Sequence, residues 1–318
     1  MTTAPATDRV PDAPPGNWVD RLAPAAVKPY LRLARFDRPI GAWLLLFPAW
    51  WSQALAELSL GRPWPSPWYL LLFLVGAFVM RGAGCTYNDI VDRDFDARVA
   101  RTSSRPIPSG QVGVFQAFAF MAALCVLGLA VLLQFNPFTV VLGASSLLLI
   151  AVYPFAKRFT FWPQLVLGLT FKWGALVGWA AVTGSLARPA LLLYAGSVLW
   201  TIGYDTIYAH QDKEDDALVG LKSTALRFGD ATQPWLAAFY AGAVLLWGAA
   251  GLMAGARLAF LLALALAAVQ LAWQVATLDT GDAGNCLVRF KSNRWVGWLL
   301  LLGLAGDMGL AALFFLDP

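Results

Sequence analysis

The chain has 318 residues, of which 59% are apolar and only 13% charged, with a formal net charge of +4. Average soluble domains are about 45–50% apolar and about 25% charged. With a mean hydropathy of +0.61, this composition excludes a water-soluble, secreted, disordered or nucleic-acid-binding protein and makes lipid the solvent for most of the surface.

Residues 1–28 hold five prolines and mixed charges with no signal-peptide core. Asp8, Asp12 and Asp20 argue against a transit peptide. A disordered cytoplasmic tail is expected over 1–28, then an interfacial helix near Tyr30–Arg38, with 29–318 forming one transmembrane domain. A span needs about 20 mostly apolar residues. Nine stretches qualify: Ile40–Leu58, Trp68–Tyr87, Val114–Phe135, Phe138–Pro154, Phe161–Thr183, Ala190–Ala209, Trp235–Ala254, Leu258–Leu278 and Trp295–Leu316. Lipid offers backbone groups no hydrogen bonds, so each is expected to be a helix. They do not alternate as barrel strands do. The fold class is therefore all-α and polytopic. Tryptophans near span ends, among them Trp50, Trp51, Trp162, Trp295 and Trp298, suit interface belts for the most part. Cys85, Cys125, Cys286 and His210 make no zinc, cluster or disulfide spacing. Lys172 and Arg81 fall inside spans, where a charge is costly.

Orientation follows from the basic residues. With the N-terminus cytoplasmic, eighteen of the 23 Lys and Arg fall on the cytoplasmic side and three (Arg62, Arg188 and Arg257) on the other. The long connections are cytoplasmic too, which places function on that face.

Nine of the 19 acids crowd into two windows at cytoplasmic span ends: Asp89, Asp92, Asp94 and Asp96, then Asp205, Asp212, Glu214, Asp215 and Asp216. Asn88, Asp92 and Asp96 are spaced to share one helical face, as are Asp212 and Asp216. Asp92 and Asp96 precede Asp212 and Asp216 by 120 residues each, and four spans separate the windows. This implies a tandem four-helix repeat plus one helix, with the two acidic ends facing one another. Stacked carboxylates repel; local arginines would answer them, but matched clusters point to a hard divalent cation. Oxygen donors without His or Cys suit Mg²⁺. Arg98, Arg101 and Arg105 follow the first window, Lys222 and Arg227 the second, with Lys157 and Arg158 on a third cytoplasmic turn. Such cations beside metal-binding acids suit a diphosphate. No Walker loop, nucleophile triad or dinucleotide fingerprint appears. The parts suggest metal-assisted departure of diphosphate from a lipid-borne substrate such as an isoprenoid diphosphate. A divalent-cation transporter is the alternative, but it would favour acids near the bilayer midplane.

"GCTYNDIVDRDFDARVARTSSRPIPSG" and "YDTIYAHQDKEDDALVGLKSTALRFG" resemble the two signatures of the UbiA superfamily of intramembrane prenyltransferases. "LARFDRPIGAWLLLFP", "YPFAKRFTFWPQLVLG" and "FKSNRWVGWLLLLG" resemble its 4-hydroxybenzoate polyprenyltransferase branch, and the likeness runs from about Leu33 to Leu302. The resemblance implies nine transmembrane helices around a central cavity. It implies that Asn88, Asp92, Asp96, Asp212 and Asp216 hold Mg²⁺ on a polyprenyl diphosphate, with Asp205, Lys222 and Arg158 bordering the site. The implied enzyme is a Mg²⁺-dependent aromatic prenyltransferase of ubiquinone biosynthesis. It prenylates 4-hydroxybenzoate ortho to the hydroxyl and releases diphosphate. Asp92, Asp96, Asp212 and Asp216 carry catalysis; Arg98, Arg101, Arg105, Lys157 and Lys222 bind diphosphate. The acceptor carboxylate needs a cation, and Arg35 and Arg158 are both candidates. A sister enzyme with another acceptor stays open. A bacterial inner membrane, with the active site on the cytoplasmic side, is expected ahead of a mitochondrial inner membrane.

Overall fold

A computed structural model describes residues 13–14, 16–98, 102–218 and 220–314, and no strand occurs among them. The helices are α1 (Trp18–Leu22), α2 (Lys28–Leu33), α3 (Ile40–Ser59), α4 (Pro67–Val91), α5 (Arg93–Asp96), α6 (Val114–Leu132), α7 (Pro137–Val152), α8 (Ala156–Phe159), α9 (Pro163–Phe171), α10 (Gly174–Thr183), α11 (Arg188–Ala209), α12 (Lys213–Leu218), α13 (Thr224–Phe228), α14 (Thr232–Met253), α15 (Leu258–Ala276) and α16 (Ala283–Phe314). Within the stretch expected as a disordered tail, α1 forms because Asn17 caps it, accepting the Asp20 N–H at 3.0 Å.

Among the described residues, eight helical segments are long and apolar enough to cross a membrane: Pro67–Val91, Val114–Leu132, Pro137–Phe159, Pro163–Thr183, Arg188–Leu218, Thr224–Met253, Leu258–Ala276 and Ala283–Leu313. The first of the nine expected spans, α3, is not among them. Its Ser52, Gln53 and Glu57 lower its hydropathy, and all three are fully buried in protein, so this face of α3 needs no lipid-compatible surface. Elsewhere large apolar side chains such as Phe115, Leu148 and Leu245 stand exposed, as a lipid solvent allows. The protein is an integral membrane protein.

The chain packs as two compact units, one of Met1–Ala42 with Gly76–Ala130 and one of Trp43–Val75 with Val131–Pro318. In the first, Leu33, Ile90, Ile107, Val112 and Ala117 form a buried core under Tyr30 and Phe120. Gly41 lies under Arg81: a Cβ there would stand 2.8 Å from the guanidinium nitrogens. The costly cation expected in a span thus packs on the start of α3.

In the second unit, Trp51, Trp200 and Trp247 are fully buried and mutually in contact, with ring centroids 5.3–5.6 Å apart. Trp43, Trp50 and Trp298 make a neighbouring cluster. Trp50 and Trp51 are therefore core aromatics and not an interfacial belt, with half-buried Trp298 packed against Trp50. At Gly178 a Cβ would meet the Ala49 carbonyl oxygen at 2.3 Å, and Ser52 Oγ donates to the Ala175 carbonyl. A small residue here lets α10 approach α3 backbone to backbone.

Candidate active site

Both acidic windows sit where a long helix is interrupted. In the first unit α4 ends at Val91, Asp92 occupies the junction, and α5 carries Asp96. The hydrogen bonds run on through the break, from Asp92 N–H to the Asn88 carbonyl at 2.9 Å and from Asp96 N–H to the Asp92 carbonyl at 2.8 Å. Asn88, Asp92 and Asp96 therefore keep the one-turn spacing that their sequence separation implies. Asn88 is half-buried, and Asp92 and Asp96 are buried. Thr102 Oγ1 donates to the Asp96 carbonyl at 2.8 Å and ties down the returning chain.

Arg105 Nη1 donates to Asp96 Oδ2 at 2.7 Å and to Asp89 Oδ1 at 3.2 Å. Asp89 is fully buried and takes Arg35 Nη2 on both oxygens, at 2.6 and 2.8 Å. Arg35 is the only non-glycine residue with positive φ among the described residues, at 63°. Its Nη1 donates to the Arg32 and Leu33 carbonyls. Burial works to lower the Arg35 pKa, but the Asp89 charge outweighs it and holds the guanidinium above its ordinary value. Arg98 is exposed on the turn after α5. Arg101 lies outside the described residues.

The second window repeats the local plan. α11 ends at Ala209, a 3₁₀ turn spans His210–Asp212, and α12 carries Asp216. Asp205, Asp212 and Asp216 are half-buried. His210 Nε2 shares a hydrogen bond with Thr232 Oγ1 at 3.0 Å, while its buried Nδ1 has no hydrogen-bond partner. The 220–223 segment docks on α8: Lys222 N–H donates to the Lys157 carbonyl at 2.9 Å, and Lys222 Nζ to the Phe159 carbonyl at 3.3 Å. Ser223 then caps α13, accepting the Leu226 N–H. Lys157 and Lys222 are thus brought together in one turn of structure. Arg158 is exposed with its guanidinium 5.1 Å from the Phe155 ring.

Among the described residues no three His, Cys, Asp or Glu side chains converge to hold a metal ion unaided. The donor set nonetheless fits Mg²⁺. This ion is usually held by one or two carboxylates plus substrate phosphates and water, and each window offers two carboxylates one turn apart, the first with an amide beside them. Sequence reasoning missed the role of Asp89. Its offset of one residue from Asn88 turns it off the Asn88–Asp92–Asp96 face, and its partner Arg35 is 54 residues away. Within one window, helical phase is the signal that separates Asp89 from its neighbours.

The chain matches the UbiA prenyltransferase family over residues 45–305. It belongs to the UbiA prenyltransferase family. The Rattus norvegicus protein named 4-hydroxybenzoate polyprenyltransferase, mitochondrial, is 52% identical over 285 residues, covering 89% of this chain and 75% of that one. Two solved UbiA homologues share the fold. The apo structure from Aeropyrum pernix K1 has a TM-score of 0.70 at 28% identity, covering 83% of this chain and 98% of that one. The structure from Archaeoglobus fulgidus bound to GPP and Mg²⁺ has a TM-score of 0.64 at 21% identity, covering 90% and 99%. The expected bacterial inner membrane is not borne out, since the rat relative is named mitochondrial.

Proposed function

We propose that this UbiA-family chain transfers the polyprenyl group of a polyprenyl diphosphate to the ring of 4-hydroxybenzoate, ortho to the hydroxyl, and releases diphosphate. The observation that carries this reading is the repeated plan of the two windows. Each places one aspartate at a helix interruption and a second one turn later, at Asp92 and Asp96 and at Asp212 and Asp216. The rat relative's name supplies the substrate pair, and its mitochondrial name favours a mitochondrial inner membrane.

Asn88, Asp92, Asp96, Asp212 and Asp216 would hold Mg²⁺ on the diphosphate. When bound, the metal supplies neutralisation of the charge that builds on the departing diphosphate. Lys157 and Lys222, held together by the α8 contact, and Arg98, Arg101 and Arg105 would add positive charge for the same leaving group. The allylic C–O bond breaks with its electron pair leaving on diphosphate. The ring carbon ortho to the hydroxyl bonds the allylic carbon and then loses its proton, which restores aromaticity. The acceptor carboxylate needs a cation. Both Arg35 amino groups are engaged by Asp89 and by backbone carbonyls, which weighs against Arg35 and leaves Arg158 as the other candidate, with Asp205 bordering the acceptor. The reading places this chemistry at the cytoplasmic-type, cation-rich ends of the helices, where a polar leaving group meets water.

Purified protein with Mg²⁺, a labelled polyprenyl diphosphate and a panel of aromatic acceptors tests this, with product mass as the readout. The expected product is 4-hydroxybenzoate carrying one prenyl chain with its carboxyl retained. A product on another acceptor alone, or none, would overturn it.

A further inference from the structure

Asp89 sits in the first acidic window but does not share the face of Asn88, Asp92 and Asp96. One residue along an α-helix is about 100° around its axis. What it faces instead is two arginines. Arg35 Nη2 reaches both of its oxygens, at 2.6 and 2.8 Å, and Arg105 Nη1 reaches Oδ1 at 3.2 Å. That same Arg105 nitrogen bonds Asp96 Oδ2 at 2.7 Å. The four side chains form one line, Arg35–Asp89–Arg105–Asp96, entirely within the first unit. The Asp89 side chain has no solvent exposure, and those of Arg35 and Arg105 have 11% and 15%.

Charge decides what this line does. Asp89 answers Arg35 and also takes part of the pull of Arg105 that would otherwise fall on Asp96. One Arg105 nitrogen is divided between two anions, and its pull on Asp96 is correspondingly shared. A neutral residue at 89 would leave Arg105 answered by Asp96. A guanidinium paired tightly with a carboxylate competes directly with a divalent cation for it. Arg35 anchors the other end, with two donor contacts to Asp89 and two to backbone carbonyls, and its own backbone is in a left-handed conformation that only strong local bonding sustains.

We infer that Asp89 is a positioning residue: through Arg105 it sets the strength with which Asp96 takes a divalent cation. This rests on the proposed role of Asp96 as a metal ligand. Removing partners that orient ligands in this way typically lowers metal affinity about 10–100-fold.

The test is Mn²⁺ binding, followed by electron paramagnetic resonance, to detergent-purified protein with geranyl diphosphate present. Asp89→Asn is expected to weaken Mn²⁺ binding about tenfold or more. In turnover it should raise the Mg²⁺ concentration for half-maximal rate while leaving the KM for 4-hydroxybenzoate unchanged. Removing one carboxylate beside a buried arginine endangers folding, so Asp89→Asn is paired with the double variant Arg35→Met/Asp89→Asn, which removes the buried pair together. The double variant should show the same Mn²⁺ weakening, and Asp89→Glu should restore most of it. Unchanged Mn²⁺ affinity in a folded Asp89→Asn or double variant overturns the positioning role and leaves the metal reading intact. Failure of the parent protein itself to bind Mn²⁺ would remove both.

Discussion

Lys172 Nζ donates to the Leu44 carbonyl at 2.6 Å, and Leu44 is the residue four before Pro48 in α3. A proline inside a helix has no N–H for that carbonyl. The ammonium group, at the break between α9 and α10, takes the place of the missing backbone donor. The Trp200 and Tyr204 rings lie 4.6 and 5.2 Å from it and give a buried cation favourable π-faces. A lysine that looked costly in lipid is thus a structural partner for a broken helix.

Lys172→Met is therefore expected to lower stability by about 1–3 kcal/mol, the penalty for a buried carbonyl that loses its donor. Pro48→Ala supplies an N–H at the right place, so in the Lys172→Met background it should recover most of the loss. Thermal unfolding in detergent reads both. Strictly additive effects of the two substitutions would show that Lys172 and Pro48 are not coupled through Leu44.

Asp92→Asn and Asp212→Asn should each lower kcat by about a hundredfold or more, since each removes a charge that the reading places on the metal. Both proteins should keep the parent's unfolding temperature within a few degrees. Full turnover by either purified variant would contradict the metal role.

Lys222→Ala should raise the KM for polyprenyl diphosphate several-fold while that for 4-hydroxybenzoate stays near the parent's, because a lysine acts on phosphate as a point charge. Steady-state kinetics varying each substrate separates the two. Equal rises in both constants would take Lys222 off the diphosphate.

Asp37 is 2% exposed, and its Oδ1 has no hydrogen-bond partner. Burial pushes its carboxyl above the ordinary range, and Arg38 and Arg35 pull it down by less. A carboxyl raised in the folded state destabilises the fold while ionised, so its penalty is present above the folded pKa and fades as pH falls through it. Asp37→Asn should then unfold at a higher temperature than the parent near neutral pH, with the gap narrowing as the medium is acidified. A gap that widens on acidification would reverse the assignment.

The helical part of this fold was legible because lipid leaves the backbone no other way to satisfy its hydrogen bonds. The spans from Trp68–Tyr87 to Trp295–Leu316 reappear as helices with shifted ends, Phe161–Thr183 broken between α9 and α10 and the last two residues of the final span outside the described residues. The first, Ile40–Leu58, reappears as α3, although Ser52, Gln53 and Glu57, buried against protein, make it the least apolar of the nine. The acidic windows were legible as well, since one-turn spacing is a local property. Their helix interruptions were not, because the 3₁₀ turn at His210–Asp212 changes phase without any proline or glycine to announce it.

The one-dimensional pattern by itself determined which segments are helices and which residues share a turn, because hydrogen bonding within four residues and the exclusion of water settle both. Only the tertiary structure decided which charge answers which. Arg35 meets Asp89 across 54 residues, and Lys172 meets the Leu44 carbonyl across 128. A buried charge takes whichever partner helix packing brings within hydrogen-bond reach, and that packing depends on small residues such as Gly41 and Gly178 whose importance appears only once another chain segment lies against them.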